Sequence, residues 1–300
     1  MSGDTEKTRA AENLLRIAAG ARPIRRPDGR YSASIAIDGH QECHDLESPD
    51  VARWLTRRYY ESTGRLPSSA SLSSTIRALA AHADIARTAE ADLVRVGCNA
   101  SGSSIFLDLG DSAWQGVEIR ATGWQVIERP DAHFRRSAGQ RALPVPSRDG
   151  SIALLRKYIN VDSADLPLLV GCLTAALRPA GPHPIIFLPL RSSVPSRRRC
   201  EEDLWAEFMP DYPRIFGGLL DAVAAGMRLR PKVKLAELER MADFTRWGEA
   251  AAQGAGWAPG TFVTAYRSNR QAASSVTLED SPMAQAMLSP AKFHGPWKGT

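Results

Sequence analysis

Cysteine is sparse in this chain and lysine is nearly as sparse. Four cysteines, Cys43, Cys98, Cys172 and Cys200, are spread over 300 residues without a C-x-x-C pair. That spacing excludes a zinc ribbon and argues against a disulfide framework. Six of the 38 basic residues are lysines, and the bias toward Arg, Ala, Gly and Pro is what a GC-rich genome produces. No apolar stretch approaches the ~18 residues of a membrane span. The longest, Leu166–Leu177, is interrupted by Pro167 and Thr174 and reads as one buried helix. The opening Met1–Lys7 is polar with no apolar region behind it, so no secretory signal or membrane partner is expected and the cytoplasm is the default compartment. Neither G-x-x-x-x-G-K-[ST] nor G-x-S-x-G occurs, and no cysteine has a recognisable catalytic context. No catalytic residue is therefore assigned.

What is present suits about two domains, each long enough to bury a core. The formal net charge of +5 permits nucleic-acid contact without requiring it. Periodicity predicts an amphipathic helix over 5–19, then a hairpin of Tyr31–Ile37 and His40–Leu46 turned by Asp38-Gly39. Ser48-Pro49 starts a helix carrying Val51, Trp54 and Leu55, and a second helix follows around Ser71–Ala83. Leu93–Gly97, Ser104–Leu109, Gly116–Arg120 and Trp124–Glu128 read as a small antiparallel meander. Arg129–Gly150 is a connector rich in Pro, Gly and Arg.

Beyond it the chain is mainly helical. Segments are expected at Ser151–Tyr158, Asp165–Leu177, Glu201–Met209, Pro213–Arg228, Leu235–Ala252, Gly260–Ser275 and Ser281–Leu288. Ile185–Leu188 is a short strand candidate. The fold class is thus α+β: a small antiparallel-sheet and helix domain at 1–150, and a mainly α-helical domain at 151–300.

Trp114-Gln-Gly-Val-Glu-Ile-Arg-Ala-Thr-Gly-Trp124, Phe134-Arg-Arg and Leu177-Arg-Pro-Ala-Gly-Pro-His-Pro184 together resemble an uncharacterised family of mobile-element ATP-binding proteins. That family is similar to primase-associated, helicase-like ATPases of the P-loop class. Arg197–Phe208, Pro213–Val223, Met241–Trp247 and Ala265–Arg270 resemble its helical region beyond the ATPase core. The resemblance implies ATP hydrolysis, yet the Walker A and Walker B segments have no counterpart, as if the core were missing near 185–199. The expected protein is an internally shortened, ATPase-inactive relative that binds DNA, RNA or a replication protein. Alternatives are a helicase-like enzyme with an unrecognised nucleotide site, or a decay product. No cofactor is expected; ATP and magnesium enter only if the family activity survives.

Four clusters invite a chemical reading. Arg191, Arg197, Arg198 and Arg199 form a basic loop that could contact nucleic-acid phosphates. Arg53, Arg57 and Arg58 beside Tyr59 and Tyr60 could clamp a single strand, but a solvated helix face with its aromatics packed inward is the simpler reading. His40, Glu42 and His44 fall on one face of a strand, as zinc ligands would. Without a closed coordination shell no metal is assigned, and a polar, solvent-facing strand with Cys43 tucked inward is expected. Asp108 and Asp111 read as a turn after a strand. Trp205, Trp247 and Trp257 are expected in core packing.

Overall fold

The computed structural model describes residues 12–86, 93–128, 130, 132–137, 139–181, 183–186, 200–235, 237 and 239–279, with the backbone alone for 274–279. The chain divides into two compact units, Met1–Arg120 with Trp124–Val145, and Pro146–Thr300 with Ala121–Gly123.

In the first unit, residues 12–18 are helical (α1). Three strands follow, β1 (Arg22–Arg25), β2 (Tyr31–Ile37) and β3 (His40–Asp45), paired antiparallel in that order. The β2–β3 turn has φ of +45° at Asp38 and +90° at Gly39, the left-handed pair that a two-residue hairpin needs. Strand β1 escapes periodicity because Pro23 interrupts it. As an edge strand pairing Pro23 with Ala33, it has no second neighbour to miss the absent N–H. Helix α2 (Pro49–Thr63) is capped by the Ser48 hydroxyl, which accepts from the Val51 amide, and ends at left-handed Gly64. With α3 (Ser69–Ala86) it covers the sheet; Leu14, Ala33, Ile35, Val51, Leu55 and Leu79 form the core.

The meander is a second sheet, ordered β4 (Val96–Cys98), β5 (Ser104–Asp108), β6 (Gly116–Arg120) and β7 (Gly123–Ile127). The expected connector does more than connect. Arg135 bridges to Cys43 of β3, while Phe134 bridges to Leu93, three residues before β4, so this short segment is stitched to the first sheet and to the chain leading into the second.

The second unit holds a 3₁₀ turn (Ile152–Lys157) and helices α4 (Leu166–Ala176), α5 (Glu201–Leu229), α6 (Ala242–Gly254) and α7 (Thr261–Glu279). The two helices expected at 201–209 and 213–228 are one helix running through Pro210 and Pro213. Each proline leaves the carbonyl four residues back unpaired, at Ala206 and Met209, and both residues are exposed, so water can satisfy those oxygens. The strand expected at 185–188 is corrected for its described part. Ile185 and Ile186 are irregular, and Ile185 is 97% exposed, so no sheet partner covers it; Phe187 and Leu188 lie outside the described residues. The helix expected at 281–288 also lies outside them. The helix expected from Leu235 begins at Ala242.

Close backbone approach sets the packing here. Ser147 and Ser151 donate amide hydrogens to the Pro213 and Arg214 carbonyls of α5, at 2.9 Å each. A Cβ on Gly217 would stand 1.9 Å from the Ser147 oxygen, and one on Gly218 would stand 2.8 Å from the Ile152 nitrogen. Phe262 of α7 fits against Gly171 of α4 and Gly248 of α6, where an added Cβ would lie 2.2 Å from its ring in either case. The first turn of α7 is held by the buried Glu249 carboxylate, which accepts from the Gly260 amide at 2.6 Å and the Val263 amide at 3.3 Å.

Two substitutions in α5 should therefore diverge. Gly217→Ala is expected to destabilise the helical unit by about 1–3 kcal/mol, since backbone must move. Gly226→Ala adds a Cβ at ordinary contact distance, 3.6 Å from Ala251 Cβ, and is expected to be neutral or to stabilise by up to about 1 kcal/mol. Calorimetric unfolding of the two variants checks the pair.

Candidate functional site

His40, Glu42 and His44 do share a face, but they close on one another instead of facing solvent. His40 Nε2 lies 2.7 Å from Glu42 Oε1 and His44 Nε2 lies 2.7 Å from Glu42 Oε2, which consumes both carboxylate oxygens. His44 Nδ1 lies 3.6 Å from Asp50, and the His40 ring stacks on Trp114 with centroids 5.5 Å apart. The expected solvent-facing strand is thus corrected: the meander's loop covers it. Cys43 points inward and is buried, as its place in the alternation predicts. No group of three or more His, Cys, Asp or Glu among the described residues is placed to hold a metal ion.

The covering loop is itself anchored from below. Asp108, 1% exposed, receives Arg136 Nε at 2.9 Å and Nη2 at 2.6 Å, with Gln140 Nε2 at 2.6 Å and the Gly110 amide at 3.0 Å. Arg136 also donates to the Asp111 carbonyl, and its guanidinium lies 3.7 Å from the Trp114 ring centroid. Trp114 has φ of +56°, a left-handed conformation costly for a bulky residue, and its ring is held between cation and imidazole. Asp108 is therefore more than a turn residue; it is the buried anion that fixes Arg136. The cavity beside it, lined by His40, Asp108, Trp114, Glu128 and Phe134, measures about 40 Å³. That is room for about one water, whose share of liquid volume is about 30 Å³, and far too little for a nucleotide.

The helix face of α2 is solvated, as expected. Arg53 pairs with Asp50 at 3.0 Å, and Arg57 pairs with Glu61 at 3.0 Å. Tyr59 packs inward, whereas Tyr60 is exposed and departs from the expectation. Trp205 also departs from it: it is half exposed, its indole N–H donating to Glu201 at 3.2 Å. Trp257 packs partly buried against the Leu155, Leu166, Val170 and Ile215 cluster. Trp247 is buried.

Arg191, Arg197, Arg198 and Arg199 lie outside the described residues. Among described arginines of the helical unit, carboxylate partners are common: Arg267 and Arg270 share Glu239, Arg214 meets Asp149, and Arg230 meets Asp243. Arg178, just past α4, is different. It is 8% exposed, its Nη1 is buried without a hydrogen-bond partner, and its guanidinium lies 5.4 Å from the Trp247 ring centroid. Sequence reading missed it because nothing local distinguishes a buried arginine from a surface one.

The His–Glu–His cluster makes a pH prediction. Burial opposes ionisation of Glu42, but hydrogen bonds from His44 and His40, with their charges, outweigh it and hold the carboxyl below its ordinary range. A depressed folded pKa gives stability that is present above the unfolded value, near 4.3, and lost as pH falls through the folded one. Glu42→Gln should lower the melting temperature at pH 7, and the gap from the unsubstituted protein should close as the pH is lowered through that window. Thermal unfolding between pH 7 and pH 3 measures it.

Comparison with curated proteins and with solved structures gives no match. Residues 159–272 match the model of a family described as the actinomycete integrative conjugative element replication protein. That stretch runs from just before α4 into α7 and contains Arg178, Arg230 and Trp247. The match agrees with the mobile-element side of the resemblance drawn from sequence and lends no support to its P-loop ATPase side.

Proposed function

We propose that this protein serves replication of an integrative mobile element by binding DNA, without hydrolysing ATP itself. The observation that carries the reading is the family match over residues 159–272, which spans most of the helical unit. Two features support it. The chain carries a net charge of +5, and Arg191 with Arg197–Arg199 concentrates positive charge in one short segment. Such arginines attract phosphates by releasing condensed counterions, a sequence-independent contribution that weakens with salt. Catalysis is not part of the reading, because a phosphate loop with its lysine is absent from the sequence. In these terms the chain is a shortened, non-hydrolysing relative of helicase-like proteins, retaining the partner-binding role.

Fluorescence anisotropy with labelled duplex DNA at graded salt tests this. Binding should weaken linearly on a log–log plot, with a slope of about −0.9 per phosphate neutralised. Replacing Arg191, Arg197, Arg198 and Arg199 together by alanine should make the slope shallower by up to about 3–4, and magnesium-dependent ATP turnover should be missing in both proteins. Absence of DNA binding at low salt would sink the reading, and so would ATP turnover that copurifies with the chain through successive columns.

A further inference from the structure

We infer that Arg178 and Trp247 form a receptor for a phosphate group in the helical unit. Arg178 is more than nine-tenths buried, and its Nη1 is buried with no hydrogen-bond partner among the described residues. A guanidinium cannot shed its charge in a protein, so its burial has to be offset by an anion or by other acceptors. The aromatic face of Trp247, 5.4 Å away, supplies only part of that.

The surroundings add donors. The Trp247 indole N–H, which can only donate, is likewise buried without a partner. Arg230 acts on Arg178 as a second positive charge: burial first, then Arg230, lowers the Arg178 pKa from its ordinary value, with Asp243 opposing. Asp243 is engaged elsewhere, 3.5 Å from Arg230, and is itself exposed. Arg178 Nη1 and the Trp247 indole N–H are thus two buried donors without a partner, while Asp243 is spent on Arg230 and on solvent. Backbone closes on the other side of the fork. Gly181, at φ +116°, brings its Cα so near the guanidinium that an added Cβ would stand 2.4 Å from Arg178 Nη2. A tetrahedral oxyanion is the ligand class that matches such a donor set, because it offers several acceptors to a planar fork and to single N–H groups together.

The phosphate could belong to a nucleic-acid backbone or to a nucleotide, and both offer the same oxygens. The inference is independent of the DNA-binding reading, since its probe is inorganic phosphate. Thermal unfolding is followed with increasing phosphate against chloride at matched ionic strength. The unsubstituted protein should show a midpoint that rises with the logarithm of phosphate concentration once the site begins to fill. Arg178→Met keeps the length of the side chain and removes the charge. It should lose the phosphate-specific rise while its midpoint in phosphate-free buffer stays equal or goes up, since an unpaired buried cation has gone. A purely structural arginine would show the opposite, a lower basal midpoint. Trp247→Phe keeps the ring, removes one donor, and should weaken the phosphate response about tenfold.

Two further arms identify the source. If Arg178→Met weakens binding of a single-stranded oligonucleotide about ten- to a hundredfold, the phosphate belongs to nucleic acid; if it weakens only a nucleoside triphosphate, it belongs to a nucleotide. Equal phosphate responses in the unsubstituted protein and Arg178→Met would overturn the inference. So would a phosphate response no larger than that to chloride.

Discussion

Helices in the second unit can come as close as they do only where side chains are missing. Gly217 and Gly218 of α5 admit the backbone of residues 147–152, and Gly171 with Gly248 admits the ring of Phe262. These contacts fix α4, α6 and α7 against one another, and the chemistry follows from them. Arg178 follows the last turn of α4, while Trp247 sits one residue before Gly248 on α6. The cation meets the indole because the helices carrying them are held by glycine. A side chain at either contact would move the donors apart before it disturbed their identity.

Local chemistry was readable wherever a single segment decides its own shape. The Asp38-Gly39 hairpin, the Ser48 cap and the meander followed from turn residues and alternation. The buried helix at 166–176 followed from its apolar run. Features that depend on a distant partner were not readable. Pro23 hid strand β1, since only its edge position makes proline tolerable there. Pro210 and Pro213 suggested a helix break, and nothing in sequence said that the carbonyls they strand would face water. The bidentate pairing of Arg136 with Asp108 spans 28 residues, and neither side chain announces the other.

The two units treat buried charge differently. In the first, carboxylates inside the fold are matched: Asp108 by Arg136, Gln140 and the Gly110 amide, Glu118 by Arg120 and Gln125, and the partly buried Glu42 by two imidazoles. These networks are closed, and closure is what denies them a ligand. In the second, Glu249 is spent on the α7 amides, whereas Arg178 is left open. An open buried cation is the less common arrangement, and it lies inside the stretch with the replication-protein match.

The prolines of α5 carry a mechanical corollary. Unwinding that starts from Glu201 meets two rungs already missing from the ladder, at Pro210 and Pro213. Beyond them lies a densely packed stretch from Ile215 to Gly226, nearly all of it buried. The helix is continuous, but it is held differently along its two lengths. Its leading turns rest on side-chain contacts, Phe208 against Tyr158 and the Tyr158 hydroxyl on the Glu207 carbonyl, while the trailing ones are clamped backbone to backbone, so the front of this rod depends on aromatic packing where the rear depends on glycine.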